Sequence, residues 1–247
     1  MTSRRILRIS GSDARTFLQG MISNDVGKID DGLVYAALLT PQGKYIADFF
    51  VISDDADVLL DTAAAQTDAL IARLNMYKLR ADVTIAEADL NVHRGLGDVP
   101  TDGFADPRHD ALGWRAYRTT GAIDDVDWTA IEVANLIPTS GVELTSDTFI
   151  LEVGFERLNG VDFRKGCYVG QEVTARMKHK TELRKGLAQV QVTGKADVGT
   201  AIVADGKPAG TLLSRSGDTA LAYLRFDRAG GSMQAGDAQV TWAGRKE

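Results

Sequence analysis

The chain has 247 residues, of which 44% are hydrophobic and 25% charged, with one cysteine and a formal net charge of −6. That length can bury the core of one or two domains, or three small ones. The acidic balance argues against a general nucleic-acid coat and leaves phosphate binding to local basic patches. A lone cysteine excludes an intramolecular disulfide. "MTSRRILRIS" lacks a signal-peptide core, and no apolar run is long enough to span a bilayer, so the expectation is a cytoplasmic protein with no membrane partner.

In chain order, "RILRIS" alternates as a strand, and Gly11-Ser12-Asp13 offers cap residues for a helix "ARTFLQGMI". "VYAALLT" and "KYIADFFVI" read as strands joined by the turn residues Pro41-Gln42-Gly43. A strand–helix–strand unit follows: "DVLLD", "TAAAQTDALIARLNMYKLR" and "DVTIAE". Leu70, Leu74 and Tyr77 space one buried helical stripe. Residues 95–113, rich in glycine and proline, read as a loop or hinge. "TAIEVANLIP" reads as a helix. Beyond Leu183 the short strands "LAQVQVT", "TAIVAD", "AGTLLS", "ALAYLRF" and "AQVTWAG" give the texture of a small barrel or sandwich.

The cysteine stands in "RKGCYVGQEVTAR". A helix begun at or just after Cys167 would align Val169, Val173 and Met177 on one face. Cys167, Gln171, Thr174 and Lys178 would lie opposite, turned to a cleft or solvent. Lys165 and a helix N-terminus would favour the thiolate, and Glu172 and Arg176 stand four apart, able to pair. The residues leave two readings open: an inert buried thiol beside a solvated charged face, or a reactive one.

"GVDFRKGCYVGQEVTARMKHKTELRKGL" closely resembles the signature of YgfZ-type folate-binding proteins, relatives of the glycine-cleavage T-protein that act in iron–sulfur cluster assembly or repair. Lys165, Gly166, Cys167, Tyr168, Gly170, Gln171 and Glu172 match its Lys-Gly-Cys-Tyr-x-Gly-Gln-Glu run. "FLQGMISNDV", "LTPQGKYIADFF", "YKLRADVTI" and "AGTLLSRSGDTALAYLR" are similar to further family blocks in the same order. The resemblance implies an α+β fold of two small α/β domains and a C-terminal β-barrel around a folate-binding hollow. The first domain would be discontinuous (residues 1–50 and 114–182), the second a ferredoxin-like insertion (51–113), and the barrel would cover 183–247.

The same resemblance implies tetrahydrofolate, or a derivative, as cofactor. Glu152, in "LEVG", is similar to a T-protein glutamate that holds the pterin, whose paired N–H donors suit one carboxylate. Tyr77, Tyr168, Gln171, Glu172 and Arg176 are the other candidate cofactor contacts, and Cys167, Lys165 and Asp48 the candidate catalytic groups. Asp48 shares a strand face with Ile46 and Phe50, where a carboxylate needs a partner or a use unless the strand end leaves it in water. The T-protein is expected to carry two adjacent acids there; Ala47-Asp48 keeps one, which counts against aminomethyl transfer. The basic run Arg176, Lys178, Lys180, Arg184 and Lys185 could bind the folate tail or an RNA phosphate. His93, His109 and His179 lack metal-binding spacing. One cysteine cannot hold a cluster alone, so Cys167 would at most share one with a partner.

The expected function is a folate-binding accessory protein with iron–sulfur proteins as clients, indirectly supporting tRNA modification. The alternative is a folate-dependent aminomethyl or one-carbon transferase that uses Asp48 as acid or base.

Overall fold

The computed structural model describes residues 3–121, 125–180 and 182–244. Thr181 of the signature, and the extreme ends of the two expected outer domains, lie outside them. The fold is mixed α/β, with a closed C-terminal barrel. The chain divides into two compact units, Met1–Val126 with Phe155–Arg176, and Asp127–Gly154 with Met177–Glu247.

In the first unit, β1 (Arg4–Ser10), β2 (Val34–Leu39), β3 (Tyr45–Asp54), β4 (Asp57–Ala63) and β5 (Thr84–Ala88) form an antiparallel sheet in the order β2-β3-β4-β1-β5. Period-two alternation sends Ala47, Phe49 and Val51 of β3 to one face, with Leu7 and Ile9 of β1. Leu18 of α1 (Ala14–Met21) and Leu70 and Leu74 of α2 (Ala64–Lys78) cover that face. Each fully buried leucine of this kind stabilises by about 1.5–3 kcal/mol. The other face carries Tyr35, Asp48, Phe50 and Asp61. Tyr35 pairs opposite Phe50, and Phe50 opposite Asp61, so these three form a row across the sheet.

Two expectations change here. The proposed boundary between residues 50 and 51 falls inside β3, and β1 hydrogen-bonds to both β4 and β5, so residues 51–88 belong to the main sheet. The stretch read as a hinge instead contributes to a second sheet: β6 (Asn91–Gly95), β7 (Gly103–Ala105) and β8 (Trp114–Arg118), ordered β6-β8-β7. Two of its glycines, Gly95 and Gly103, mark close packing rather than freedom. A Cβ on Gly95 would lie 2.3 Å from the Trp114 ring, and one on Gly103 2.8 Å from Pro100.

The second unit contains α3 (Trp128–Ala134), capped by the Asp127 side chain accepting from the Ala130 amide at 3.0 Å. Residues 127–154 thus group with the barrel, not with the first domain as expected. The barrel comprises β9 (Lys185–Thr193), β10 (Ala201–Ala204), β11 (Lys207–Ser216), β12 (Thr219–Arg225), β13 (Met233–Ala235) and β14 (Ala238–Thr241), closed in the order β10-β11-β12-β9-β14-β13. Small side chains such as Ala188, Ala204, Ala220 and Ala222 fill its interior beside Val190, Ile202 and Leu212.

Candidate functional site

Cys167 is exposed. It sits in a loop, because α4 begins only at Gln171 and runs to Lys180. The helical wheel begun at Cys167 is therefore corrected: Thr174, placed there beside the thiol, is buried and donates to the Gly170 carbonyl at 3.2 Å. Gly170 explains the late start. Its φ is +84°, and a Cβ there would come within 2.6 Å of the Thr40 carbonyl oxygen. Across from it, Gly43 (φ +76°) closes the β2–β3 turn with its amide donating to Thr40, and a Cβ there would meet Val173 at 2.8 Å. Two glycines thus let the loop press against the hairpin.

Lys165 anchors the other side of the loop. Its ammonium donates to the carbonyls of Gln19 (2.7 Å), Ile22 (2.6 Å) and Asn24 (3.0 Å), at and just beyond the C-terminus of α1, where free carbonyls and the helix dipole favour a cation. Burial pushes Lys165 down to about 8 while Asp25 and Asp162 pull the other way, so it stays mostly protonated at neutral pH. All three of its protons are committed to carbonyls. The expected activating or catalytic role is thereby corrected to anchoring. Asp162 accepts from the amides of Arg164 (2.7 Å) and Lys165 (3.2 Å) and pairs with Lys28 at 2.6 Å. Tyr168 is buried, its ring 5.0 Å from the Lys165 ammonium. On α4, Gln171 is half-buried, while Glu172 and Arg176 are exposed and paired at 2.9 Å. Tyr77 packs against the α2 core.

Asp48 lies in a separate cluster of the same unit. It is buried, and its oxygens accept from the Tyr35 hydroxyl at 3.0 Å and the Tyr45 hydroxyl at 2.6 Å; the reading of a strand-end carboxylate in water is corrected. Burial, and then the Asp48 charge, push the Tyr35 phenol well up, so it remains a donor. Further along this face Asp61 pairs with Arg4 (2.5 Å) and Arg115 (3.2 Å) and accepts from Tyr117 (3.1 Å). Asp106 receives a bidentate pair from Arg108 (3.0 and 2.9 Å) and a bond from Arg115 (3.0 Å). Burial would raise Asp106, but Arg108 and Arg115 outweigh it and hold the carboxyl well below the usual range. Sequence reading missed Asp61, Asp106, Arg108 and Arg115. The detectable signal was Asp61 in the strand "DVLLD"; its partners come from distant segments.

Glu152 belongs to the second unit. It lies on a one-turn 3-10 segment, Ile150–Val153, and is buried. It accepts the Tyr223 hydroxyl of β12, with the Lys185 ammonium of β9 at 3.8 Å. Apart from Tyr77 on α2, the candidate residues therefore fall into three groups: the Cys167 loop with α4, the Asp48 cluster, and Glu152 on the barrel side. Among the described residues, no group of three or more His, Cys, Asp or Glu side chains is placed to hold a metal ion.

These features define a class. The fold is that of the glycine-cleavage T-protein: the chain superposes on the aminomethyltransferase T of the Bartonella henselae glycine cleavage system with a TM-score of 0.75, over 97% of this chain and 82% of that one, at 12% identity. Residues 184–245 match the CAF17 C-terminal beta-barrel domain. In sequence the chain is similar to mitochondrial iron–sulfur cluster assembly factors. It is 31% identical to the IBA57 homolog of Neurospora crassa (75% of this chain, 51% of that protein) and 29% identical to that of Mycosarcoma maydis (74% and 54%). It is 26% identical to human IBA57 (94% and 78%). The matches span about half the length of these fungal relatives. Each of these relatives is named as mitochondrial, which overturns the cytoplasmic expectation. Lacking a secretory signal core says nothing of amphipathic transit peptides, and a single cysteine does not choose between reducing compartments.

Proposed function

We propose that the chain is an iron–sulfur cluster assembly factor of the YgfZ type, working in mitochondria or a mitochondrion-like setting, with Cys167 as its contact to cluster or client. One observation carries this reading: the only thiol in the chain is exposed on a loop fastened by the Lys165 anchor and by the Gly170–Gly43 approach. A thiol held out on a rigid support suits ligation or exchange, whereas a structural cysteine is typically buried. A cluster at Cys167 would be cargo whose remaining ligands come from a partner. Support by relatedness comes from proteins named for iron–sulfur cluster assembly.

The proposal includes reduced folate. Glu152 fits the donor set of a pterin: its two oxygens offer about four lone-pair sites, and the Tyr223 hydroxyl and a more distant Lys185 ammonium leave acceptor capacity. Bound folate would supply one-carbon chemistry; Glu152 would orient the pterin ring. Support for tRNA modification would be an indirect result of maturing iron–sulfur enzymes.

Two measurements test the reading. Cluster delivery to an apo iron–sulfur protein should fall at least tenfold in Cys167→Ser, and equal delivery would remove the thiol's role. Calorimetric titration with tetrahydrofolate should saturate in the native protein and be lost in Glu152→Ala. No heat in either would end the folate claim.

A further inference from the structure

We infer that two barrel residues, Tyr223 and Lys185, set the carboxylate of Glu152 for its ligand, which makes the barrel part of the pterin-recognition site. This deepens the folate reading above and rests on it.

Glu152 hangs from a single 3-10 turn whose own hydrogen bonds fix only backbone: the Glu152 amide donates to Phe149 and the Gly154 amide to Leu151. A glutamate side chain has three torsions, the last of them broad, and nothing in the turn selects among them. The barrel does. Tyr223 on β12 pairs opposite Leu187 on β9, and Lys185 opposite Arg225, so Tyr223 and Lys185 share one barrel face while Ala222 and Leu224 turn inward. From that face the Tyr223 hydroxyl donates to Glu152 Oε2, and the Lys185 ammonium lies 3.8 Å from Oε1 and 5.4 Å from the Tyr223 ring centroid. One oxygen is thus held by a neutral donor. The other faces a cation beyond hydrogen-bond distance and keeps its capacity for a new donor.

The phenol is suited to this task. Burial, then the bond to Glu152, push Tyr223 well up, so it donates across the neutral and alkaline range. Backbone packing already attaches the turn to β9: a Cβ on Gly186 would lie 2.5 Å from the Glu152 carbonyl oxygen. The hydroxyl is therefore not needed to seat the turn, and its effect falls on the carboxylate. Lys185 offsets the charge that a buried carboxylate brings with it.

The test is titration of the full chain with tetrahydrofolate, and with tetrahydropterin, which lacks the aminobenzoyl-glutamate tail. Tyr223→Phe keeps the ring and should weaken both ligands about tenfold with thermal unfolding little changed. Lys185→Met should weaken both about threefold. In a Glu152→Gln background the added Tyr223→Phe penalty should shrink to about twofold or less, because the hydroxyl acts through that carboxylate. Native binding that is lost in Glu152→Ala but unchanged in Tyr223→Phe and Lys185→Met would overturn this inference alone. A penalty that persists in the Glu152→Gln background would also overturn it, as would weakening of the tailed ligand only. Absence of binding by the native chain would remove the folate reading and this inference with it.

Discussion

The Arg115 guanidinium lies over the Phe50 ring, 3.9 Å from its centroid, while its nitrogens reach Asp61 at 3.2 Å and Asp106 at 3.0 Å. One side chain of the three-stranded sheet thereby neutralises two buried carboxylates, one of them on the five-stranded sheet. Arg115→Met should leave both acids short of charge. Breaking a buried pair in this way costs about 3–5 kcal/mol, read as a lower urea midpoint. Arg115→Lys should recover only part, since an ammonium cannot make the same fork or stack. A loss under 1 kcal/mol would mean the network is not a source of stability.

The same network sets an acid limit. Arg108 and Arg115 hold Asp106 below its unfolded value. A depressed folded pKa gives stability that is fully present above the unfolded value, near 4, and lost as pH falls towards the folded one. Urea midpoints should therefore decline below about pH 4. In Arg108→Met the folded value of Asp106 rises towards the unfolded one, so the midpoint should be lower at neutral pH and its decline below about pH 4 shallower; an unchanged profile would contradict the pairing.

Lys165→Met should strip three backbone carbonyls of their donor. With charge-assisted bonds worth roughly 1.5–3 kcal/mol singly and not additive, a loss of about 2–4 kcal/mol is expected. Limited proteolysis should then cut near residues 162–170 faster than in the native chain. Cleavage at an unchanged rate would show that the anchor does not hold the loop.

Gly170→Ala should destabilise by about 2 kcal/mol, because a positive φ and a 2.6 Å approach to the Thr40 oxygen both oppose a Cβ. Gly166→Ala is the control: its Cβ would meet nothing within 4 Å. Thermal unfolding of the two variants should separate them clearly. Equal midpoints would disprove the steric account.

Cys167 should react with a disulfide reagent at the rate of an exposed thiol, without urea. A reaction that requires denaturant would place the thiol in packing instead.

Much was legible locally. The alternation of "KYIADFFVI", the turn at Pro41-Gln42-Gly43 and the short barrel strands each depend on near neighbours, and they form where periodicity places them. Gly95 and Gly103 show where such reading fails. A glycine that admits a tryptophan looks, in sequence, like one that frees a hinge. The start of α4 failed similarly, since the obstacle to a residue with a side chain at Gly170 is a carbonyl about 130 residues earlier in the chain.

Sequence alone determined which residues were candidates for chemistry: one thiol, a strand carboxylate at Asp48, and a lysine two residues before the cysteine. Periodicity and residue type are properties of a few adjacent positions, so they survive without a fold. Only tertiary structure decided what those groups do. It gave Lys165 to the end of α1, closed Asp48 between two tyrosines, and brought Tyr223 to Glu152 from 71 residues away. Partners of buried charges are chosen by which strands become neighbours, and that choice belongs to the packing of the whole chain.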